Sequence, residues 1–384
     1  MKSVITSERI PIKLWLDDIE EGALKQAKDI ANLPFAFHHV AIMPDAHQGY
    51  GMPIGGVLAT RGAVVPNAVG VDIGCGVCIM RTNLPNPDKD ELKTIMSQIR
   101  DKIPLGFSHH PKPQEWAGFD HAPDIPIIKQ ELDHARYQLG TLGGGNHFIE
   151  IQRGSDDKIY VMLHSGSRNF GLKIANEYHK KAVAMCEKHY SDIPDKELAF
   201  FPIETPEARE YFEAMDYAKN FAKYSRILMM QRIKATLPDV FHAEDYKEIT
   251  DVVHNYAQYE NHFRKNVIVH RKGAILAPDG QTGLIPGSQG TKSFIVSGKG
   301  NPDSFYSCSH GAGRRMGRKQ AIRELDLAEE VKRLDDAGVI HGIRTEKDLD
   351  EAAGAYKDIN AVMENQKDLA EIHLALSPLA VIKA

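Results

Sequence analysis

Asp72 and Cys75 stand three residues apart in Val69-Gly70-Val71-Asp72-Ile73-Gly74-Cys75-Gly76-Val77-Cys78, where Gly70, Gly74 and Gly76 let the backbone turn tightly. A carboxylate and a thiolate converging on one turn suit a divalent metal ion, and a thiolate can bridge two ions. The bland alternative is that Cys75 and Cys78 are small buried hydrophobes. Cys75-Gly76-Val77-Cys78 is formally a CxxC, but a zinc ribbon needs a second pair, and Cys186 and Cys308 stand alone. Three histidines add to the set. His147 follows Leu142-Gly143-Gly144-Gly145-Asn146, His164 ends the β-like run Val161-Met162-Leu163, and His254 sits in Asp251-Val252-Val253-His254-Asn255-Tyr256. A lone histidine is usually packed or solvated, and most of the 18 here must be so. Three beside loop breakers, with Asp72 and Cys75 available, make a five-ligand site whose imidazole, carboxylate and thiolate character fits a transition metal rather than Ca²⁺.

Glycine-rich turns offer the complementary chemistry, because successive backbone N–H groups cradle phosphates. Gly143-Gly144-Gly145-Asn146, Pro286-Gly287-Ser288-Gln289-Gly290 and His310-Gly311-Ala312-Gly313 are candidates, although each taken singly is only a turn. A further glycine-rich run, Met43-Pro44-Asp45-Ala46-His47-Gln48-Gly49-Tyr50-Gly51, follows a strand-like segment. The familiar nucleotide signatures are missing: there is no GxxxxGK[ST], no GxGxxG after a strand and no KxDG, and Lys299 lacks the spacing. If a nucleotide is used, something else must carry its chemistry. His310, flanked by small residues and followed by basic ones, is the obvious nucleophile.

The elements that must position these groups read as a mixture. Apolar spacing near 3.6 residues predicts helices over about Leu16–Ala31, Asp88–Ile103, Ile127–Tyr137, Thr205–Ala235 and Asn360–Leu376. Another is expected after Gly313, carrying Arg314, Arg315, Arg318, Lys319 and Arg323. Strand-like runs include His39–Met43, Tyr160–Leu163, Val267–Val269 and Ser293–Val296. With no regular βαβ period, the expectation is an α+β fold over residues 1–384, with a helical insertion at about 172–250 and a surface loop over His109–Pro126. An apolar share of 42% and a charged share of 26% exclude disorder and collagen-like repeats. Four cysteines cannot make a disulfide scaffold, so a reducing, cytoplasmic setting is expected. The first nine residues hold no apolar stretch long enough for a signal peptide, and no run approaches the roughly 18 apolar residues of a membrane span.

At this point the motifs resemble a known family. Asp72-Ile73-Gly74-Cys75-Gly76, Gly140-Thr141-Leu142-Gly143-Gly144-Gly145-Asn146-His147-Phe148, His164-Ser165-Gly166-Ser167-Arg168 and Ser309-His310-Gly311-Ala312-Gly313-Arg314 look like the RtcB family of RNA ligases, with a match from Pro44 to Lys383. The resemblance implies an RtcB-like fold of mixed sheets with surrounding helices and a central metal and nucleotide cleft. It implies a ligase that joins an RNA 3′-phosphate or 2′,3′-cyclic phosphate end to a 5′-hydroxyl end, using GTP and two Mn²⁺ ions, in tRNA splicing or RNA repair. Asp72, Cys75 and His147 would hold one ion, and Cys75, His164 and His254 the second, Cys75 bridging. His310 would take the guanylate as a phosphoramidate. The nucleotide pocket would be drawn from Asn146, His147, Phe148, Ile149, Glu150, His254, Asn255, Pro286, Gly287, Ser288, Gln289, Ser293, His310, Gly311, Ala312, Gly313, Tyr356 and Lys383. Arg168 lies where the family meets the RNA phosphate. Broken or intron-cleaved RNA is the implied partner, family members can depend on an activator called archease, and a monomer is expected. Gln289 stands where Met is common in the family, Asn169 where glycine is usual and Ala353 where Pro is common.

Two other classes would use the same residues. A metal-dependent RNA phosphoesterase or nuclease needs the ligands and cradles but no covalent nucleotide. A non-catalytic RNA-binding protein needs a strongly basic surface, and a net charge of −5 argues against it. The cations from Arg314 to Arg323, with Lys292, Lys299, Arg271 and Lys272, offer either a local RNA track or simply a solvated face.

Overall fold

The computed structural model describes residues 1–189, 191–236 and 249–384. Strands buried on both faces set its architecture. In Gly76–Arg81, Val77 and Ile79 enter one apolar cluster while Cys78 and Met80 enter another. In Lys265–Lys272, Val267 and Val269 part from Ile268 in the same way. Side chains that alternate across a strand can satisfy both clusters only if helices cover the sheet's outer side.

A six-stranded sheet runs in the order Ser3–Ile5, Ile12–Leu14, Ala36–His47, Ile54–Thr60, Lys265–Lys272 and Asn255–His262. A seven-stranded sheet runs Thr250–Val253, Gly76–Arg81, Ile159–Ser165, Phe148–Gly154, Ala370–Ile382, Ser293–Gly298 and Thr282–Ile285. Met43, Val57 and Val269 of the first share a core with Val77, Met162, Val296 and Leu376 of the second. Helix Glu21–Ala31 covers the first sheet's outer face through Ala27 and Ile30, and helices Pro126–Gln138, Arg168–Lys188 and Pro206–Thr236 pack over Ala257 and Ile268. Helix Lys89–Lys102 closes the second sheet's outer face with Met229 and Met230 of the long helix. The α+β expectation therefore holds, as helix, sheet, sheet, helix.

Helix ends follow their sequence signals. Asp88 accepts from the backbone N–H groups of Asp90 and Glu91, and Glu91 accepts in return from the Asp88 N–H, a capping box. Thr205 Oγ1 accepts from Ala208 N–H at 3.3 Å ahead of Pro206, as expected there.

Three expectations are corrected. The segment expected as one helix to Leu376 is helical only over Ile359–Asn365. Ala370–Ile382 is a strand paired on both sides, with Ser293–Gly298 and with Phe148–Gly154. Two antiparallel ladders outweigh a modest helical spacing. The basic helix spans only Arg318–Glu324, because Arg314 and Arg315 are drawn onto the backbone carbonyls of Asp350 and Gly354 at 2.6 and 2.8 Å. The first helix begins at Glu21 rather than Leu16. The His109–Pro126 segment is irregular apart from a 3₁₀ turn at Ala117–Phe119, yet it buries Phe119 and Ile125. Of the expected helical block at 172–250, residues 190 and 237–248 lie outside the described residues.

Candidate metal centre and nucleophile

Four backbone segments deliver five donor side chains to one place. The turn after Asp72 is closed by Cys75 N–H donating to the Asp72 carbonyl at 3.1 Å, which puts Cys75 at the entrance of strand Gly76–Arg81. His164 lies in the neighbouring strand opposite Val77 on one side and Phe148 on the other, and His147 immediately precedes the Phe148–Gly154 strand. His254 joins two strands and donates its N–H to the Cys75 carbonyl at 2.9 Å. The side chains then form a row. Asp72 Oδ2 is 3.1 Å from His147 Nε2, Cys75 Sγ lies 3.4 Å from His147 Nε2 and 3.3 Å from His164 Nε2, and His164 Nε2 is 3.3 Å from His254 Nε2. The donor atoms of Cys75, His147 and His164 all fall within 4.8 Å of one another.

The chemistry of this row fits a cation. His164 Nδ1 faces the Asn146 carbonyl at 3.1 Å and so carries the proton there, which leaves the Nε2 lone pair aimed at the thiol and at His254. Burial holds both His164 and His254 well below the usual imidazole range, so both are neutral. Asp72, by contrast, is drawn down to about 2: burial would raise it, but His147 and bonds from Ser167 N–H (3.0 Å) and Oγ (3.2 Å) prevail. Burial, and then the Asp72 charge, push the Cys75 thiol far up, so a thiolate needs a cation beside it. The carboxylate sits so close to Gly166 that a Cβ there would lie 2.0 Å from Asp72 Oδ2. Only glycine fits.

His310 stands at the edge of the row, its ring centroid 4.7 Å from that of His254. It follows the short strand Ser307–Ser309, and its Nδ1 meets Asp45 Oδ2 at 2.7 Å. Asp45 is fully buried near the end of strand Ala36–His47. Burial would raise its carboxyl, yet the His310 ring and its hydrogen bond bring it below the usual value. The proton therefore sits on Nδ1, and Nε2 is the nitrogen with the free lone pair. Gly313, at φ +74°, allows the Asp45 carbonyl to approach where a Cβ would lie 2.0 Å away.

The expected nucleotide residues divide into groups. Ser293 Oγ accepts from Gly287 N–H (3.1 Å) and from Gln152 Nε2 (3.0 Å), and the same Gln152 amide donates to Glu150. Burial raises Glu150 to about 8. Gln289 donates to the Glu351 carbonyl at 2.9 Å, Tyr356 Oη to the Glu351 carboxylate, and Arg314 lies over the Tyr356 ring. Ser288 N–H is turned to Thr291 Oγ1 at 2.7 Å, two residues after Pro286. Lys383 carries a pKa lowered by burial and opposed by Glu351 and Asp350. Gly311 N–H is given to Asp45 at 3.2 Å, while Ala312 and Ile149 place their side chains in apolar clusters and can offer only backbone. Asn255 is committed to the Asp72 carbonyl (3.0 Å) and Gly273 N–H (2.9 Å), and Phe148 packs edge-on to His164. Arg168, a non-glycine residue at φ 59°, starts its helix with Nε on Thr141 Oγ1 at 3.0 Å. Residue-by-residue reading assigned no role to Asp45, Glu351 or the buried Arg226–Asp251 pair, because each finds its partner across the fold.

Two helix-covered sheets enclose a buried His/Cys/Asp cluster that could hold a metal ion, beside a histidine oriented by a carboxylate. A family model described as tRNA-splicing ligase RtcB matches residues 26–384. The chain is 36% identical over 409 residues to the RNA-splicing ligase RtcB of Escherichia coli (strain K12), covering 99% of each. It is 31% identical over 460 residues to the tRNA-splicing ligase RtcB of Nanoarchaeum equitans, covering 97% of this chain and 95% of that protein. It is 30% identical over 459 residues to the tRNA-splicing ligase RtcB of Thermococcus kodakarensis, covering 98% and 95%. The chain belongs to the RtcB family.

Proposed function

We propose that this protein is an RNA ligase that seals 3′-phosphate or 2′,3′-cyclic phosphate ends to 5′-hydroxyl ends, using GTP and Mn²⁺. The observation that carries the reading is the Asp45-oriented His310 packed on His254 of the donor row. His310 Nε2 attacks the α-phosphorus of GTP; a nitrogen–phosphorus bond forms and the bond to pyrophosphate breaks. Asp45 holds the Nδ1 proton and stabilises the charge that develops on the ring. An oxygen of the RNA 3′-phosphate then attacks the same phosphorus and releases the histidine, giving RNA(3′)pp(5′)G. Finally the 5′-hydroxyl attacks the RNA phosphorus, GMP leaves, and the hydroxyl proton passes to solvent. A cyclic end is first opened by water.

Asp72, Cys75, His147, His164 and His254 would hold the ions, with Cys75 between the two sides. When bound, the metal neutralises charge on the transferring phosphoryl group. The nucleotide would lie among Ser293, Glu150, Ser288, Gln289, Tyr356 and Lys383, and Arg168 would meet the RNA phosphate. RNA is the partner; the protein acts as a cytoplasmic monomer, and an archease-type activator is tested by add-back. No helix among the described residues is long and apolar enough to cross a membrane. A phosphoesterase without a covalent nucleotide is not favoured, since the named relatives are ligases.

Incubation with α-labelled GTP and Mn²⁺ tests the reading. A labelled protein band that His310→Ala abolishes is expected, together with joining of a cleaved stem-loop bearing a 2′,3′-cyclic phosphate. A folded, metal-loaded protein that neither labels nor joins would overturn it.

A further inference from the structure

Arg226 has no exposed surface, about two-thirds of the way along helix Pro206–Thr236. Its guanidinium touches three of the segments that carry donors. Nη1 donates to the Gly74 carbonyl and to the Ser165 carbonyl, both at 2.8 Å, one residue before Cys75 and one after His164. Nε and Nη2 grip the Asp251 carboxylate at 2.5 and 3.0 Å. Asp251 lies three residues before His254, on a strand that pairs Asp251 with Cys78 and Val253 with Gly76. A Cβ at residue 76 would lie 2.6 Å from the Val252 carbonyl oxygen and 3.0 Å from the Arg226 guanidinium carbon, so glycine there leaves room for both.

Stability alone is a poor reason for such a pair. Two buried charges cost desolvation energy that apolar residues of similar volume avoid, and breaking such a pair is what destabilises. Electrostatic attraction to a metal is no better a reason, because the guanidinium is a cation. Asp251 neutralises it, which leaves a net-neutral, planar, multidentate clamp. Its contacts are also one-sided. Arg226 braces the backbone of Cys75, His164 and, through Asp251, His254, whereas the Asp72 carboxylate is held by Ser167.

We propose that the Arg226–Asp251 pair is a positioning device that bears chiefly on the His164–His254 end of the centre, so that it sets the affinity of the ion there more than that of the ion at Asp72–His147, with which it shares only Cys75. The proposal rests on the reading that the donor row holds two ions, and the experiment separates the two claims. Mn²⁺ binding to the full-length protein is titrated by the electron paramagnetic resonance of free Mn²⁺, with metal-free thermal melts recorded in parallel. Arg226→Lys keeps the charge but cannot span two carbonyls and a carboxylate. The pair Arg226→Met with Asp251→Leu removes both charges at once, so that no unpaired charge stays buried. In both variants the ion at the His164–His254 end should bind about tenfold to a hundredfold more weakly, and the ion at Asp72–His147, which shares Cys75, should lose clearly less. Asp72→Asn should weaken the opposite ion. In addition, the thiolate-to-metal charge-transfer band of Co²⁺-loaded protein should shift in Arg226→Lys. Unchanged binding of both ions, equal loss of both, or loss of a cooperative metal-free melt in Arg226→Lys and in the paired variant each overturns the proposal. If the unaltered protein binds fewer than two ions, the two-ion reading fails first and the proposal goes with it.

Discussion

Asp45 and His310 lie far apart in sequence, yet a single oxygen of Asp45 accepts from the His310 ring at 2.7 Å, from the His310 N–H at 3.1 Å and from the Gly311 N–H at 3.2 Å. Three donors on one buried oxygen fix both the ring's orientation and its tautomer. A nucleophilic imidazole needs both, since its Nε2 must be unprotonated and aimed before its electrophile arrives.

Replacing that carboxylate by an amide should leave the fold and remove the orientation. Asp45→Asn keeps the volume but loses the charge that favours the Nδ1 proton, so covalent labelling with GMP should slow by about 10³- to 10⁴-fold, as carboxylate-to-amide changes behind catalytic histidines do. The rate of labelled-protein formation under single-turnover conditions checks it. Labelling at the unaltered rate would remove Asp45 from the mechanism.

The closeness of Gly166 to Asp72 gives a steric test. A methyl at residue 166 would lie 2.0 Å from Oδ2 and 2.2 Å from Oδ1, while Ser167 already holds Oδ1. Gly166→Ala must therefore displace the carboxylate, and the Kd for the ion on that side should rise by about tenfold or more. Gly317→Ala, which meets nothing within 4 Å, is the control and should bind Mn²⁺ normally. Equal isotherms for the two variants would mean that Asp72 is no ligand.

Glu150 predicts a pH effect whose sign is fixed. Unfolded, it ionises near 4.5; folded, burial holds its proton up to about 8, with Gln152 and Lys383 pulling the other way. Between those values the native state binds more protons than the unfolded one, so this group makes stability fall as pH rises, by up to about 1.4 kcal/mol per pH unit. Glu150→Gln imitates the protonated form. It should match the unaltered protein in urea melts near pH 4 and exceed it increasingly towards pH 8. A constant difference across that range would show that the carboxyl titrates normally.

What the sequence makes legible is whatever chemistry is local. The Asp72–Cys75 turn, the glycines before His147 and the strand end at His164 each advertise themselves within about ten residues, and the fold brings them into one row. Helices with good caps, such as Lys89–Lys102, are equally visible. Long-range relationships are not. Asp45 sits in a run of interesting residues, but nothing near it says that its partner is His310. Arg226 reads as one more cation on an amphipathic helix until the Gly74 and Ser165 carbonyls arrive around it. The Ala370–Ile382 segment fails for a related reason. Its apolar residues tolerate a helical reading, and only the two neighbouring strands decide otherwise.

The donor row also predicts which ion binds best and which works best, and these need not coincide. Cys75 lies 3.4 and 3.3 Å from two imidazole nitrogens, so every candidate donor in the row but Asp72 is sulfur or nitrogen. Mn²⁺ is the weakest binder of the divalent first-row series at such donors, and Zn²⁺ binds far more tightly, favouring thiolate and imidazole in a closed tetrahedral site. The phosphoryl transfer proposed here asks for something else: exchangeable positions for phosphate oxygens, which oxygen-preferring Mn²⁺ accepts readily. Zn²⁺ should therefore displace Mn²⁺ in competition dialysis, and ligation in excess Zn²⁺ should not exceed the Mn²⁺ rate. Cys75→Ser should narrow the gap between the two affinities, because it removes the soft donor while leaving the imidazoles in place. Faster joining with Zn²⁺ than with Mn²⁺, or an unchanged affinity gap in Cys75→Ser, would show that the thiolate does not set the metal preference.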